Sequence, residues 1–432
     1  MNKDYQGTKL SSDPDQEQSV PATVSKKDER VPKTFTSLRH RNFQLYFGGQ
    51  LVSVSGTWMQ LIAQGWLVYQ LSHSDFTLGL VGFAAAIPSL IVAPWGGVIA
   101  DRVSKRGLLV MTNSAAMLLA FILSALAFAN RVQVWHIIVL SVLLGVVNAL
   151  DGPTRQAFVV DMVGREDLTN AIAMNSVMIN GARVIGPAFG GVMMATVGPS
   201  WCFLINGLSF LAVIIGLLAM KLQKQPAQEV LASPWKQLTA GLNYVRNHTD
   251  LFALLLLATI FSVFGTSYSS ILPAYVDQVL KMQADGYGAL NAAIGFGAVT
   301  GAFFIARLGE NGGRGRILTF ASFAFPVILS IFAGEGNYYL SLVLAYFLGI
   351  FFMFQFNLIN TLLQIHVDHA MRGRVLALYT LTFSAFAPFG NLALGNLAGY
   401  WGIPAAIRVS ALTAFILAAI VLALVPQVRK YL

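Results

Sequence analysis

The chain has 432 residues, of which 56% are hydrophobic and only 11% charged, with a formal net charge of +9 at pH 7. A soluble domain carries about 25% charged residues, so a surface that faces water throughout is excluded, and the mean hydropathy of +0.65 points the same way. The bases collect in loops between apolar runs, which excludes nucleic acid as the reason for the positive charge, and a single cysteine, Cys202, excludes disulfides and thiolate metal sites.

In chain order, residues 1–36 are polar and poor in large apolar side chains, which predicts a disordered tail. That tail lacks the apolar core of a cleavable signal. Ser37 to Phe43 then lead into the first of twelve apolar segments, at 43–70, 77–100, 107–129, 135–158, 169–197, 202–220, 251–276, 285–307, 315–333, 339–363, 374–399 and 404–425. A helix crosses a bilayer in about 20 residues, so each segment is long enough to span. The fold class expected is an all-α membrane protein of twelve transmembrane helices. Several segments carry Gly, Pro, Asn or Gln, which is tolerated where neighbouring helices or a wet cavity satisfy the backbone. Between the sixth and seventh segments, Ser233-Pro234-Trp235 opens like a capped helix. Trp235, Leu238, Leu242 and Val245 share its apolar face, as in a helix lying at a membrane surface; a flexible linker is the alternative.

Charge sets the orientation. With the N-terminus inside, Arg131 and Lys281 are the only bases in outer loops, and Arg183 and Arg408 fall within segments. The remaining 24 of 28 bases lie on the cytoplasmic side, the asymmetry expected of a membrane protein with both termini in the cytoplasm. The segments also repeat: Asp101-Arg102 and Lys105-Arg106-Gly107 after the second are echoed by Arg307 and Arg314-Gly315-Arg316 after the eighth. Gly186-Pro187-Ala188-Phe189-Gly190 in the fifth is echoed by Ala387-Pro388-Phe389-Gly390 in the eleventh. The expected organisation is a tail at 1–36, a six-helix bundle at 37–220, a cytoplasmic linker at 221–250, a second six-helix bundle at 251–426 and a tail at 427–432.

The loop Gly96-Gly97-Val98-Ile99-Ala100-Asp101-Arg102-Val103-Ser104-Lys105-Arg106 resembles the signature between the second and third helices of the major facilitator superfamily of secondary transporters. That family places glycine before the final basic pair, where this chain has Ser104. The Gly186-Pro187-x-x-Gly190-Gly191 run resembles the antiporter motif of superfamily exporters. Asp151-Gly152-Pro153-Thr154-Arg155, Asn170-Ala171 and Leu238 to Arg246 are similar to the subgroup of enterobactin exporters and macrolide efflux proteins. The resemblance implies two pseudo-symmetric bundles, a pattern known for this superfamily. It also implies a monomeric, multi-pass transporter of the bacterial inner (plasma) membrane that exports an amphipathic small molecule, drug or siderophore, by proton antiport. An uptake transporter or a lysophospholipid flippase of the same fold is the alternative, and a receptor or scaffold that moves no cargo is the alternative of another class.

Several residues carry that expectation. Asp101 is the gate carboxylate the resemblance implies, with Gly97, Arg102 and Arg106 in its loop and Arg155, Arg372 and Arg374 as candidate partners. Charged groups inside a bilayer are expensive and mark function by default. Arg183, beside Gly186 and Pro187, is therefore read as a gating or substrate-charge group, or as a structural partner of Asp151. Asp151 is read as the group that exchanges protons, or as half of an ion pair that breaks when the bundles rock. Gln60, Gln64, Asn148, Phe264, Tyr268, Phe354, Asn357 and Asn360 are read as cavity residues, because amides avoid lipid and aromatic walls suit an amphipathic ligand. No cofactor is expected: no glycine loop to cradle phosphate occurs, and His366 and His369 have only Asp368 nearby. The absence of clustered His or Asp opposes an enzyme.

Overall fold

A computed structural model describes residues 33–430 other than 165, 222–233, 308–312 and 369–370, without the side chains at 33–35, 90, 93–102, 180, 234–237 and 430. Among the described residues the chain is helical and holds no strand. The first half is α1 (Arg41–Ser72), α2 (Asp75–Arg102), α3 (Lys105–Phe128), α4 (Val134–Val163), α5 (Leu168–Thr196) and α6 (Pro199–Ala219). A surface helix, α7 (Pro234–Arg246), leads to the second half. There the seventh span is broken into α8 (Thr249–Ile260), a π turn at Phe261–Gly265, a 3-10 turn at Ser267–Ser270 and α9 (Leu272–Gln278). The remaining spans are α10 (Ala284–Arg307), α11 (Arg314–Ala333), α12 (Tyr338–His366), α13 (Arg372–Trp401) and α14 (Ile403–Leu424).

Ten of these helices are long and apolar enough to cross a membrane by those two measures alone. The others among the twelve spans are α1 and α2. The first carries Gln44 and Gln70 exposed near its ends and Gln50, Gln60 and Gln64 between them, and these three inner amides turn toward other helices rather than lipid.

The seventh span differs from the continuous segment expected over 251–276. Serine and threonine hydroxyls there bond back to the chain: Thr266 Oγ1 to the Ser262 carbonyl at 2.8 Å and Ser267 Oγ to the Val263 carbonyl at 2.5 Å. Such bonds compete with the helix ladder and loosen it. The tail also starts its structure earlier than expected, with a 3-10 helix at Lys33–Arg39. It is pinned because Ser37 donates from N and Oγ to Asn170 Oδ1, at 3.0 and 2.7 Å.

The two halves are built alike. In the first, α2 packs on α4, α3 on α6, and α1 on α5; in the second, α10 packs on α12, α11 on α14, and the broken span on α13. Between halves the pairing is reciprocal, α2 with α13 and α5 with α10. That exchange is what a pseudo-twofold axis along the membrane normal requires.

The bundles do not touch evenly along their length. With even numbers of spans per half, both termini and α7 fall at one end, the basic end. Among the described residues, cross-bundle contacts run from the middle of the helices to the opposite, distal end. There Phe83 meets Phe389 with ring centroids 5.3 Å apart, Trp66 stacks on Tyr287 at 5.8 Å, and Tyr69 Oη donates to Asp277 Oδ2 at 2.8 Å. Close helix approach there depends on Gly191 of α5 and Gly288 of α10, where a Cβ on either would overlap the other's backbone.

The surface helix α7 belongs to the second half, packing on α13 and α8. Val245 is buried and Leu238 packs against the same core, while Leu242 is exposed; the side chain of Trp235 lies outside the described ones. Tyr244 Oη donates to Asp368 Oδ2 at 2.9 Å, which ties α7 to the residues just before α13.

Candidate translocation site

The polar residues of the first bundle converge on one cavity of about 350 Å³ between α1, α3, α4 and α6, with Ala85 of α2 at its edge. Its apolar wall includes Leu119, Leu123, Leu140, Leu144 and Phe210, and its polar wall includes Gln50, Gln60, Gln64, Asn113, Asn148, Asp151, Arg155 and Asn206. Each amide or acid has a reason for its position. Gln60 Oε1 accepts from Asn206 Nδ2 at 2.7 Å, and Gln64 Nε2 donates to Ser141 Oγ at 2.9 Å. Unpaired, these amides would leave buried donors and acceptors unmet, at about 1–3 kcal/mol each.

Asp151 is the centre of this cluster. Its Oδ1 accepts from Thr112 Oγ1 at 3.0 Å and from Asn113 Nδ2 at 3.2 Å, both on α3. Arg155, one turn further along α4, approaches Oδ2 through Nε at 3.5 Å and donates from Nη1 to Gln50 Oε1 at 3.2 Å. The carboxylate is thus held mainly by neutral donors, and its cation is shared with an amide on α1. Thr112, Asn113 and Asn206 were not among the expected site residues. Their signal was present: two polar residues in an apolar third segment and a lone amide in the sixth.

Arg183 is placed elsewhere. It does not pair with Asp151. Its guanidinium lies over the Trp58 ring of α1 at 4.9 Å and the Phe352 ring of α12 at 5.3 Å. One turn on, Gly186 faces Trp58 and the Ser55 carbonyl so closely that a Cβ would sit 2.5 Å from that oxygen. Pro187 lies inside α5 next to this crossing, where it removes one hydrogen bond from the helix ladder. The echo in α13 does the same work, with Gly390 set against Val263 in the π turn.

The remaining expected site residues are dispersed. Tyr268 is buried against Phe325 and Phe332 inside the second bundle, and Phe354 packs on Phe304 and Phe351. Phe264 offers its carbonyl to Ser410 Oγ at 2.9 Å, Asn360 accepts from Gln364, and Asn357 is half-buried. None of these lines the first-bundle cavity. Arg106 caps α6 by donating to the Leu218 and Met220 carbonyls at 2.6 and 3.3 Å. Arg374 Nη1 contacts Met371 Sδ at 3.1 Å, and Arg372 Nε is buried without a hydrogen-bond partner among the described residues. Gly97, Asp101 and Arg102 lie on α2, with side chains outside the described ones. Among the described residues no three His, Cys, Asp or Glu side chains cluster as metal ligands would.

Two bundles related by a pseudo-twofold axis, with a polar seam in the first, are the frame of a known family. Its profile, described as transmembrane secretion effector, matches residues 32–431. The chain belongs to this family of major facilitator transporters. Membership makes it a multi-pass membrane transporter of small molecules and not an enzyme.

Among curated relatives, the staphyloferrin A transporter of Staphylococcus aureus is 26% identical over 361 residues, covering 83% of this chain and 90% of that one. The enterobactin exporter EntS of Shigella flexneri is 23% identical over 392 residues, covering 91% and 93%. Among solved structures, a bacterial homologue of the human lysosomal transporter Spinster, inward-facing and unoccupied, superposes with a TM-score of 0.67 at 14% identity, covering 93% and 98%. The nucleoside transporter NupG gives 0.64 at 13% identity, covering 88% and 98%. The structural neighbours establish the fold of this transporter.

Proposed function

We propose that this transporter is a proton-driven exporter of a bulky amphipathic small molecule, of the siderophore or drug class, working as a monomer by alternating access in a bacterial plasma membrane. The observation that carries the proposal is Asp151, a carboxylate on the wall of the first-bundle cavity held by neutral donors on α3 and a shared arginine on α4. A group held in this way can take up a proton without stranding a cation, because Arg155 keeps Gln50 as a partner. A tight, buried salt bridge could not, since removing one charge from it costs several kcal/mol.

Direction and substrate class draw on further support. Gly186 and Pro187, the antiporter-like run, form the crossing of α5 on α1. Of the relatives named above, one is described as a staphyloferrin A transporter and the other as an enterobactin exporter. The basic end, with 24 of 28 cations expected on its side, faces the cytoplasm by the positive-inside rule. In this reading the bundles are apart toward the cytoplasm and closed at the distal end, and rocking about the α2–α13 and α5–α10 contacts exposes the cavity to each side in turn.

The test is substrate-driven proton movement in proteoliposomes, read by a pH-sensitive dye with staphyloferrin A and enterobactin as probes. Wild type moves protons against the substrate. Asp151→Asn, which keeps the Thr112 and Asn113 contacts available, loses that flux by about tenfold or more, a change equivalent to only about 1.4 kcal/mol. Undiminished flux in the variant would remove Asp151 from the mechanism, and flux in the same direction as the substrate would replace antiport by symport.

A further inference from the structure

Arg183 is a cation near the middle of α5 that the proton-coupling reading does not use. It stands where four helices cross: Trp58 of α1 and Phe352 of α12 face its guanidinium, and Gly295 of α10 brings backbone against its own carbonyl. The two rings come from different bundles. They supply attraction to the charge but no hydrogen-bond acceptor of ordinary strength. Nε is buried and has no hydrogen-bond partner among the described residues. No acid among the described residues forms an ion pair with Arg183; the three ion pairs found join His40 to Asp167, Lys105 to Asp161 and Arg155 to Asp151.

A guanidinium in a bilayer-spanning helix ordinarily pairs with a carboxylate or reaches water at a helix end. Here Nε finds no partner among the described residues, and two aromatic walls flank the guanidinium. An Arg edge matches a carboxylate in shape, offering two parallel N–H donors to two oxygens. The rings suit an apolar or aromatic body attached to that carboxylate.

We infer that Arg183, Trp58 and Phe352 form a cross-bundle subsite for the carboxylate end of an amphipathic anionic substrate. The inference rests on the transporter reading above and names the charge class of its cargo. Because one ring belongs to each bundle, the subsite is assembled only while α1, α5 and α12 stand as they do here. A bound anion therefore senses which way the bundles have rocked. The same cation disfavours lipophilic cations, which sets this chain apart from a carrier of basic drugs.

The test is equilibrium binding to the purified full-length protein in lipid nanodiscs at pH 7, with no gradient and no turnover. The probes are a panel of aromatic and fatty acids, each paired with its own methyl ester, together with tetraphenylphosphonium. Wild type binds at least one acid about tenfold more tightly than its ester, as charge-assisted hydrogen bonds demand, and binds the cation more weakly than that acid. Arg183→Met abolishes the preference, and Arg183→Lys retains part of it. Arg183→Met removes an unpaired charge, so its melting temperature in nanodiscs matches or exceeds that of wild type, which separates loss of the subsite from loss of the fold. No acid preferred over its ester in wild type, a preference that survives Arg183→Met, or tetraphenylphosphonium bound as tightly as the acids would each overturn the inference. Since binding is read without proton flux, a failure here leaves the antiport experiment standing, and a failure there leaves this one interpretable.

Discussion

Asp167 stands at the start of α5 at the basic end, its Oδ2 2.8 Å from His40 Nε2. The hydrogen bond from His40, and after it one from Thr36, hold its carboxyl below the usual carboxylate range. A carboxyl whose native pKa lies below its unfolded value, about 4, stabilises the fold above that pH and loses the stabilisation as pH falls through the native value. The melting temperature of wild type is therefore expected to fall more steeply below about pH 4 than that of Asp167→Asn. Parallel curves would show that the pair contributes nothing. At the same scale, the residues that proved easiest to place from sequence were those whose chemistry forbids lipid. Gln60, Gln64, Asn148 and Asp151 were read as interior groups and Arg155 as a gate partner, and all five line one cavity, whereas the amides Asn357 and Asn360 do not. Aromatic residues carried no such constraint, because a phenylalanine is equally at home in lipid, core or cavity. Tyr268 and Phe354 ended in the core of the second bundle for that reason.

At the scale of elements, the deciding features are close approaches between helices. The α5–α10 crossing at Gly191 and Gly288 leaves no room for a methyl group. Gly191→Ala forces the distal ends apart at a cost of about 1–3 kcal/mol, the usual size of overpacking. That is enough to shift a two-state equilibrium by roughly tenfold. Spin labels on the distal ends of α5 and α10, read by pulsed electron resonance, should report a longer or broader distance in the variant; an unchanged distribution would mean the crossing is not a point of contact. The break in the seventh span belongs to this scale too. Its serine-rich composition was visible, but a broken helix and a continuous one share the same hydropathy. The α13 backbone at Gly390 packs against the π turn, and only that packing singles out where the helix opens.

For the whole molecule, the asymmetry of contact between the ends makes a direct prediction about transport. Gly82 of α2 and Asn391 of α13 lie across the distal interface, with a Cβ at Gly82 placed 3.9 Å from the Asn391 Cβ. That separation suits a disulfide. In a background with the buried Cys202 replaced by Ala, the pair Gly82→Cys and Asn391→Cys should lose transport on oxidation and regain it on reduction. Transport that persists with the cross-link formed would show that the distal end need not open. The surface helix α7 moves with the second bundle in this scheme, since its contacts are to α8 and α13.

What the amino-acid sequence determined unaided was everything governed by the cost of moving charge and backbone into hydrocarbon. That cost is local, so it can be read off residue by residue: twelve spans, a basic end, a duplicated plan and a short roster of interior polar groups. What only the tertiary structure decided were the partnerships among them. Arg155 was within reach of Asp151 along the turn of α4 alone, but whether Arg183 also joined them fell to helix crossings, which put it beside two rings on other helices instead. A side chain's depth follows from its own chemistry, but its neighbour depends on how helices distant in sequence pack, and no local signal encodes that.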